Sequence, residues 1–555
     1  MKSNDQKHSI SECDQHGGTL YSEQYVGGAY RASELVNQLD IISRHSTIHD
    51  LHDDVEDDGK HDDEVEEGEY PIDGWFAMII SICTMMLVVS CWGVNSAYGV
   101  FLDFYISADK FPGATQYDYA LIGGLVVFLA QFLAPINIIA FKIFGFKWVT
   151  FVGILVQSIA YILASFSTKL WHLFLTQGVL VGISFSFVFI PGTLVLPTWV
   201  KKRRATAMSI AVAGSGLGGV IFSLSVNGLI EKTGDQKWAL RMCGIVTFFL
   251  AMLALLIMRP RRLKNPPTLK DTLTKENLII NIKAIFSIKV FKNYSLVLLS
   301  FWYAMALVGY LLIIFSLPSY ATSVGLKSSQ GAALSSILNA AQVVGRPIMG
   351  LMADKIGRTN VTSGISLLIA ILIFAFWINA MNYATLIGFS ALVGLVMGIG
   401  SSMAQPIAAD ILEDFPQNLP AAWSGMNIFI SFFCLIAEVI TLLLKSKTSS
   451  RPFFHSQIFA GFCFIACFIL MMIVREWLVR DKLKKRLNIA HIEYEQLKLS
   501  RASTPSHTDS QSLEKVNSEL NKEVRILEET IDRYNTLLQN TLWSYLVRIF
   551  YPMKV

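Results

Sequence analysis

Twelve apolar runs, six on each side of one polar segment, constrain this chain of 555 residues more than any other feature. They fall near 75–104, 118–141, 148–167, 171–199, 205–230 and 239–258, then near 294–317, 331–352, 361–380, 384–408, 423–444 and 453–474. An α-helix needs about 20 residues to cross a bilayer, and backbone polar groups in lipid must be satisfied within the segment, so each run predicts a helix. The stretch from Arg259 to Asn293 carries nine Lys or Arg, which excludes a thirteenth span. Composition agrees: 16% of residues are charged, against roughly 25% in ordinary soluble chains. The expectation is an all-α polytopic membrane protein with twelve transmembrane helices in two six-helix halves. The halves cover 73–258 and 294–474, joined by a central loop over 259–293.

Cations set the expected topology. Lys201-Lys202-Arg203-Arg204 sits between the fourth and fifth runs and cannot enter hydrocarbon cheaply, so it marks a membrane surface. With both termini cytoplasmic, the inner connections hold seventeen Lys or Arg against nine on the outer side. Behind the cations come Ala207, Ser209, Ala211, Ala213, Gly214, Gly216, Gly218 and Gly219. Small residues at this spacing let transmembrane helices pack closely, and the expected neighbour is the eighth helix.

The tails read differently. Residues 1–72 predict a disordered acidic cytoplasmic tail, because His49 to Glu69 is dominated by Asp and Glu and buries little apolar surface. The polar start contains no cleavable signal, so the first apolar run is expected to direct insertion. Residues 475–555 predict a second cytoplasmic tail. It opens with a basic stretch expected to lie against the anionic inner leaflet, Arg475 to Arg486. A Ser/Thr-rich segment follows, then a heptad helix over 513–541. Leu513, Leu520, Leu527 and Tyr534 alternate there with Asn517, Val524, Ile531 and Leu538, a pattern that offers self-association; a helix packed on the protein or the membrane is the alternative. Leu542 to Tyr551 is apolar, too short to span, and suits the membrane interface.

Catalytic, metal and cofactor chemistry are not expected. The sequence holds no P-loop and no nucleophile elbow, and six of its seven cysteines lie in apolar runs without metal-ligand spacing. A net charge of +4 gives no electrostatic footprint for nucleic acid. Without an ATP-binding module, movement of a solute must be driven by a gradient.

The six-plus-six layout with a long basic central loop resembles the major facilitator superfamily. Gly350 followed by Asp354, Gly357 and Arg358 resembles its D-x-x-G-R gate element. Two further motifs resemble the signatures of the monocarboxylate porter family. Asp73-Gly74-Trp75 opens the first span. Lys202, Arg203, Arg204, Ala207, Ala211, Ala213 and Gly214 match the signature of the fifth, from which Trp199, Val200, Thr206 and Ser209 depart. Gly345-Arg346-Pro347 matches the family's A-R-P element, whose arginine anchors the substrate carboxylate; pairing within the gate is its structural alternative.

Departures from the family shape the expected cargo. Gln342 stands where the family pairs its arginine with an aspartate, and Asn95 to Tyr98 stand where proton-coupled members carry a lysine. The resemblance therefore implies Arg346, Gln342, Asn95, Tyr98 and Asn339 as substrate-binding candidates. Glu438, a carboxylate within a span, is the candidate for proton coupling. The long tails and Phe111-Pro112-Gly113-Ala114-Thr115 resemble the fungal branch, in which riboflavin uptake is known. The expected function is secondary transport of a small organic solute by alternating access, riboflavin-type or related, neutral or anionic. Proton-coupled monocarboxylate symport is the alternative, and a non-transporting sensor or scaffold is the alternative of another class. The expected membrane is the plasma membrane, with the vacuolar membrane as the alternative.

Overall fold

A computed structural model describes residues 70–261, 274, 279, 282, 283, 285, 288–445, 451–502, 510–551 and 553. Most of the acidic N-terminal segment, most of the central loop and the Ser/Thr-rich stretch 503–509 lie outside these residues. The described residues from 70 to 550 belong to one compact unit; Tyr551 and Met553 fall outside it and are joined by a backbone hydrogen bond of 2.8 Å.

Helices fill the described chain. α1 is Trp75–Ser107. α2 is Gln116–Phe132, continued after a turn at Leu133 by 134–144. Gly145, at φ 77°, then breaks the chain, and α3 covers 146–164. α4 is Leu170–Thr198, α5 Arg204–Thr233 and α6 Lys237–Ile257. The second set is α7 Tyr294–Ser323, α8 Ser328–Ile356, α9 Arg358–Asn379, α10 Tyr383–Ile411, α11 Leu419–Leu444 and α12 Phe454–Ala502. Two further helices follow, α13 Ser510–Leu538 and α14 Leu542–Phe550.

Local side chains cap several helix starts. Thr115 and Asp118 form a capping box at α2, Asn293 accepts from Ser295 N–H at α7, and Asn382 accepts from Thr385 N–H at α10. Pro191, Pro318, Pro347 and Pro406 sit inside α4, α7, α8 and α10. Membrane helices tolerate such breaks because neighbouring helices satisfy the freed carbonyls. Among the described residues, ten helical stretches are long and apolar enough to cross a membrane by themselves. The exceptions are the first part of α2, 17 residues long, and α8. α8 carries Asn339, Gln342 and Arg346, and its polarity is what excludes it.

Two main seams join α1–α6 to α7–α12: α5 against α8, and α2 against α11. The small-residue face of α5 lies in the first seam. A Cβ on Gly216 would stand 2.6 Å from the Asn339 carbonyl oxygen, so only glycine permits this approach. A π-helical stretch, Val89–Gly93, shifts α1 just ahead of Asn95, where Gly93 meets Gly218 of α5.

The C-terminal region departs from the sequence reading. Hydropathy ends the last span at residue 474, but α12 continues to Ala502, since no Gly or Pro interrupts 475–502. α13 folds back along it. Tyr494 donates to Glu528 at 2.9 Å, and Arg480 to Asn540 at 2.9 Å. The heptad residues Val524, Leu527, Ile531, Tyr534 and Leu538 are half-buried. Buried or half-buried positions recur on α12 at Val479, Leu483, Arg486, Ala490, Tyr494 and Leu497. The face expected to self-associate therefore has a partner helix within its own chain. The basic stretch expected against lipid is partly engaged by protein: Arg475 and Arg486 are buried, and Lys485 pairs with Asp414 at 2.8 Å.

Candidate functional site

Two charged clusters lie on α8, both against α5. The outer one closes the end of the bundle that carries Lys201–Arg204, called here the cationic end. α5 begins without a side-chain cap of its own. Its free N–H groups are taken by a residue of the other half: Asp354, at the end of α8, accepts from Ala205 N–H at 3.2 Å and Thr206 N–H at 2.7 Å. The Thr206 hydroxyl donates to the same carboxylate at 2.7 Å. A carboxylate at a helix N-terminus is favoured by both the free donors and the helix dipole.

Arg358 ties this contact to two more helices. Its guanidinium donates to Asp354 at 3.0 and 3.1 Å, to Asp410 of α10, and to the Lys202 carbonyl at 3.3 Å. Gly357 turns the chain between α8 and α9 at φ 114°, a conformation that a Cβ would strain. Asp354 and Arg358 pair within the second half, and each reaches backbone of the first half.

Asp73 serves the same elbow from below. It adopts φ 56° and accepts from the N–H groups of Lys201, Lys202 and Arg203 at 3.2, 2.8 and 3.2 Å. Successive backbone donors of this kind make an anion-binding nest. Its own N–H donates to the Trp199 carbonyl at 3.0 Å, and Gly74 fits a turn too tight for a side chain against Pro71. Trp199 is fully buried and donates to the Arg259 carbonyl at 2.9 Å. The two signature stretches are thus one structure, joined through backbone N–H and carbonyl groups. Arg204 Nε lies 3.4 Å from the Val200 carbonyl, and Gly214 packs on Met85 of α1. A void among Leu196, Val200, Arg204, Met208, Gln405 and Pro406 measures about 10 Å³, room for one water at most.

The inner cluster surrounds Arg346, eight residues before Asp354 on α8 and 2% exposed. Its Nη1 donates to the Val212 carbonyl and the Ser215 hydroxyl of α5. Nη2 donates to Gln342 Oε1 at 2.6 Å, which also accepts from Tyr310 of α7 at 3.3 Å. Gln342 Nε2 donates to Asn339 Oδ1 at 3.2 Å. Arg346 Nε has no hydrogen-bond partner among the described residues and packs on Gly398 of α10; one turn further, the buried Ser402 hydroxyl is also unpartnered among them. Tyr303 of α7 lies near Arg346 and beside Gln131 of α2, whose buried Oε1 has no partner among the described residues.

The candidates are distributed unevenly around this centre. Arg346, Gln342 and Asn339 form one chain of hydrogen bonds. Gly219 of α5 brings the Asn339 amide next to Ser96, so the half-buried Asn95 lies one residue from the seam. Tyr98 instead donates to the Tyr119 carbonyl of α2 at 2.7 Å, inside the first half. Glu438 is on α11, and its side chain lies outside the described residues. Ser215, Tyr310 and Tyr303 were not singled out from sequence, because a hydroxyl in an apolar run gives no periodic signal. Other span amides serve packing: Gln157 donates to the Ser90 carbonyl at 2.5 Å and Gln177 accepts from Tyr105 at 3.0 Å, both within the first half. Gln405 donates across the halves to the Thr193 carbonyl at 2.8 Å.

Two pseudo-equivalent helix sets meeting on buried polar seams, with a gate at one end, define a secondary transporter. The chain belongs to the major facilitator superfamily, whose family model matches residues 75–437 and 299–516. Its relatives include several yeast transporters. It is 38% identical to the uncharacterized transporter ESBP6 of Saccharomyces cerevisiae, over 88% of this chain and 70% of that protein. It is 34% identical to the probable transporter MCH2 of the same yeast, over 76% and 86%. To the riboflavin transporter MCH5, also from that yeast, it is 24% identical over 77% and 83%. The protein is therefore a multi-pass secondary transporter of small solutes.

Proposed function

We propose that this transporter carries a solute with an anionic or imide-like edge, riboflavin-type rather than a simple monocarboxylate, by rocking its two halves around Arg346. One observation carries the reading: a buried guanidinium whose described side-chain partners, Gln342 and Ser215, are neutral. A cation without a countercharge in hydrocarbon is costly and marks a functional site. Its planar fork matches a carboxylate or the edge of an imide. The amides of Gln342 and Asn339 and the phenols of Tyr310 and Tyr303 add hydrogen-bonding and stacking groups suited to a polar heteroaromatic solute. The riboflavin transporter MCH5 among its relatives agrees with that chemistry.

In the mechanism proposed, the cationic end faces the cytoplasm, at the plasma membrane. It is closed in this state by Asp354 on α5 and by Arg346 on the Val212 carbonyl and Ser215. Opening that end separates α5 from α8, so Arg346 loses two acceptors. A bound solute supplies the replacement, which links occupancy of the site to movement of the halves. The discriminating experiment is uptake of labelled riboflavin and labelled lactate, side by side, in cells lacking their own carriers. Saturable riboflavin uptake, competed by riboflavin and not by lactate, is expected. Lactate uptake without riboflavin uptake overturns the substrate class.

A further inference from the structure

Helix α14 is inside out. Its buried residues are polar, Ser544 and Arg548, at 6% and 1% exposure. Its outward residues are apolar: Leu542, Trp543, Leu546 and Phe550 are 79%, 69%, 42% and 74% exposed. These four fall at i, i+1, i+4 and i+8 and so share one face. The polar face is pinned. Arg548 Nε donates to Glu476 of α12 at 2.6 Å, and Nη1 donates to the Gln539 carbonyl at 3.1 Å. The Arg548 and Ile549 carbonyls accept from Arg475. Ser544 donates to the Thr536 carbonyl at 3.1 Å. A buried ion pair adds little net stability but fixes orientation strongly, and here it fixes which face of α14 points out.

The position of that face names its occupant. Arg475 and Glu476 directly follow the apolar run of α12, so α14 is held at the level where α12 leaves the hydrocarbon. Above that level α12 exposes Phe462 and Ile469, its own lipid-facing side. Tyr545 neighbours Tyr294, an exposed aromatic at the start of α7 on the same end of the bundle. Aromatic side chains concentrate at this depth of a membrane. Nine residues cannot span, so the apolar face meets lipid only if the helix lies in the plane of the interface.

We propose that α14 is an in-plane anchor, with Leu542, Trp543, Leu546 and Phe550 seated in the acyl boundary of the leaflet at the cationic end. The anchor acts on the transporter through α12. Arg475, which holds α14, also donates to Asn360, two residues beyond the gate residue Arg358.

The test uses the full chain in phosphatidylcholine–phosphatidylserine nanodiscs, with Cys13→Ser; the other six cysteines are buried. Nitroxides are placed at W543C, L546C and, as an exposed reference on α13, E529C. Expected is oxygen accessibility above that of a nickel chelate at 543 and 546, with nickel accessibility about tenfold below that at 529. Nickel accessibility equal to that at 529 overturns the proposal, as does exclusion of both reagents, which would mean a protein partner or a second copy. A label-free measurement stands beside it. Lipids brominated near the headgroup should quench a fluorescence component present in the wild type and missing in W543F; equal quenching in the two proteins also overturns it.

Discussion

Arg346 and Asp354 lie on one helix, about 12 Å apart along its axis, and handle charge in opposite ways. At the cationic end every group of the gate is answered. Asp354 takes two N–H groups, a hydroxyl and a guanidinium, and Arg358 takes two carboxylates and a carbonyl. At the inner cluster a guanidinium meets carbonyl, amide and hydroxyl dipoles, and one of its N–H groups has no acceptor among the described residues. On the proposed reading, the difference separates holding from binding. A gate is stable when its charges are paired. A binding site is useful when one charge is left for the solute.

The comparison breaks first at Arg346. Arg346→Ala should leave the protein in the membrane and lower uptake by at least about 100-fold, because the solute then meets unpaired amides and no cation. Normal uptake at normal surface abundance would remove Arg346 from the binding machinery. Asp354→Ala should act on the gate instead. Losing charge-assisted bonds to α5 costs the closed state about 2 kcal/mol, or about 30-fold in its population. Alkylation of M208C, at the small void, by a maleimide from the cationic side should quicken by about that factor. An unchanged rate would mean that the seam closes without Asp354.

Smaller changes sharpen the contrast. Gln342→Asp gives Arg346 a countercharge and makes the inner cluster resemble the gate; KM for the solute should rise about tenfold with little change in maximal rate. A lower KM would show that the solute prefers a neutralised arginine. Thr206→Val removes one gate donor and should quicken M208C alkylation about fivefold. The smallest effect belongs to the far end, where Asp235 bonds Lys110 at 3.2 Å and Lys237 at 3.1 Å. Burial raises the Asp235 carboxyl, but the two lysines outweigh it and hold it below its usual value. A depressed carboxyl contributes stability above its unfolded pKa and loses it as pH falls through the folded one. Lys110→Ala should therefore cost under about 1 kcal/mol at neutral pH. Melting-temperature measurements should show the difference from wild type shrinking as pH falls below about 4 and vanishing below the depressed folded pKa.

The helices were legible because membrane spans obey one rule, and length and hydropathy express it directly. Arg346 was legible for the converse reason: a cation in an apolar run violates the rule. What stayed hidden was every contact made by backbone. Asp73 and Asp354 were legible only as members of motifs, yet both bind peptide N–H groups at the α4–α5 elbow and the start of α5. Thr206 read as a mild departure from the signature, although its hydroxyl crosses the seam to Asp354. The heptads of α13 were plain in sequence, but their partner was not. α12 runs on beyond its apolar stretch with charged residues between its buried positions, so its inward face does not stand out against the polar ones.

The polarity of α8 has a consequence before any solute is met. A segment bearing Arg346, Gln342 and Asn339 is the one least able to leave the insertion machinery for lipid alone. Only residues 324–327 separate it from α7, which is long and apolar enough to cross a membrane by itself. The two should therefore partition together as a hairpin during synthesis, with α7 carrying its neighbour into the bilayer. Glycosylation mapping of α8 with and without α7 ahead of it reads that dependence directly. The polar residues proposed for the binding site would then also bear on the order of assembly.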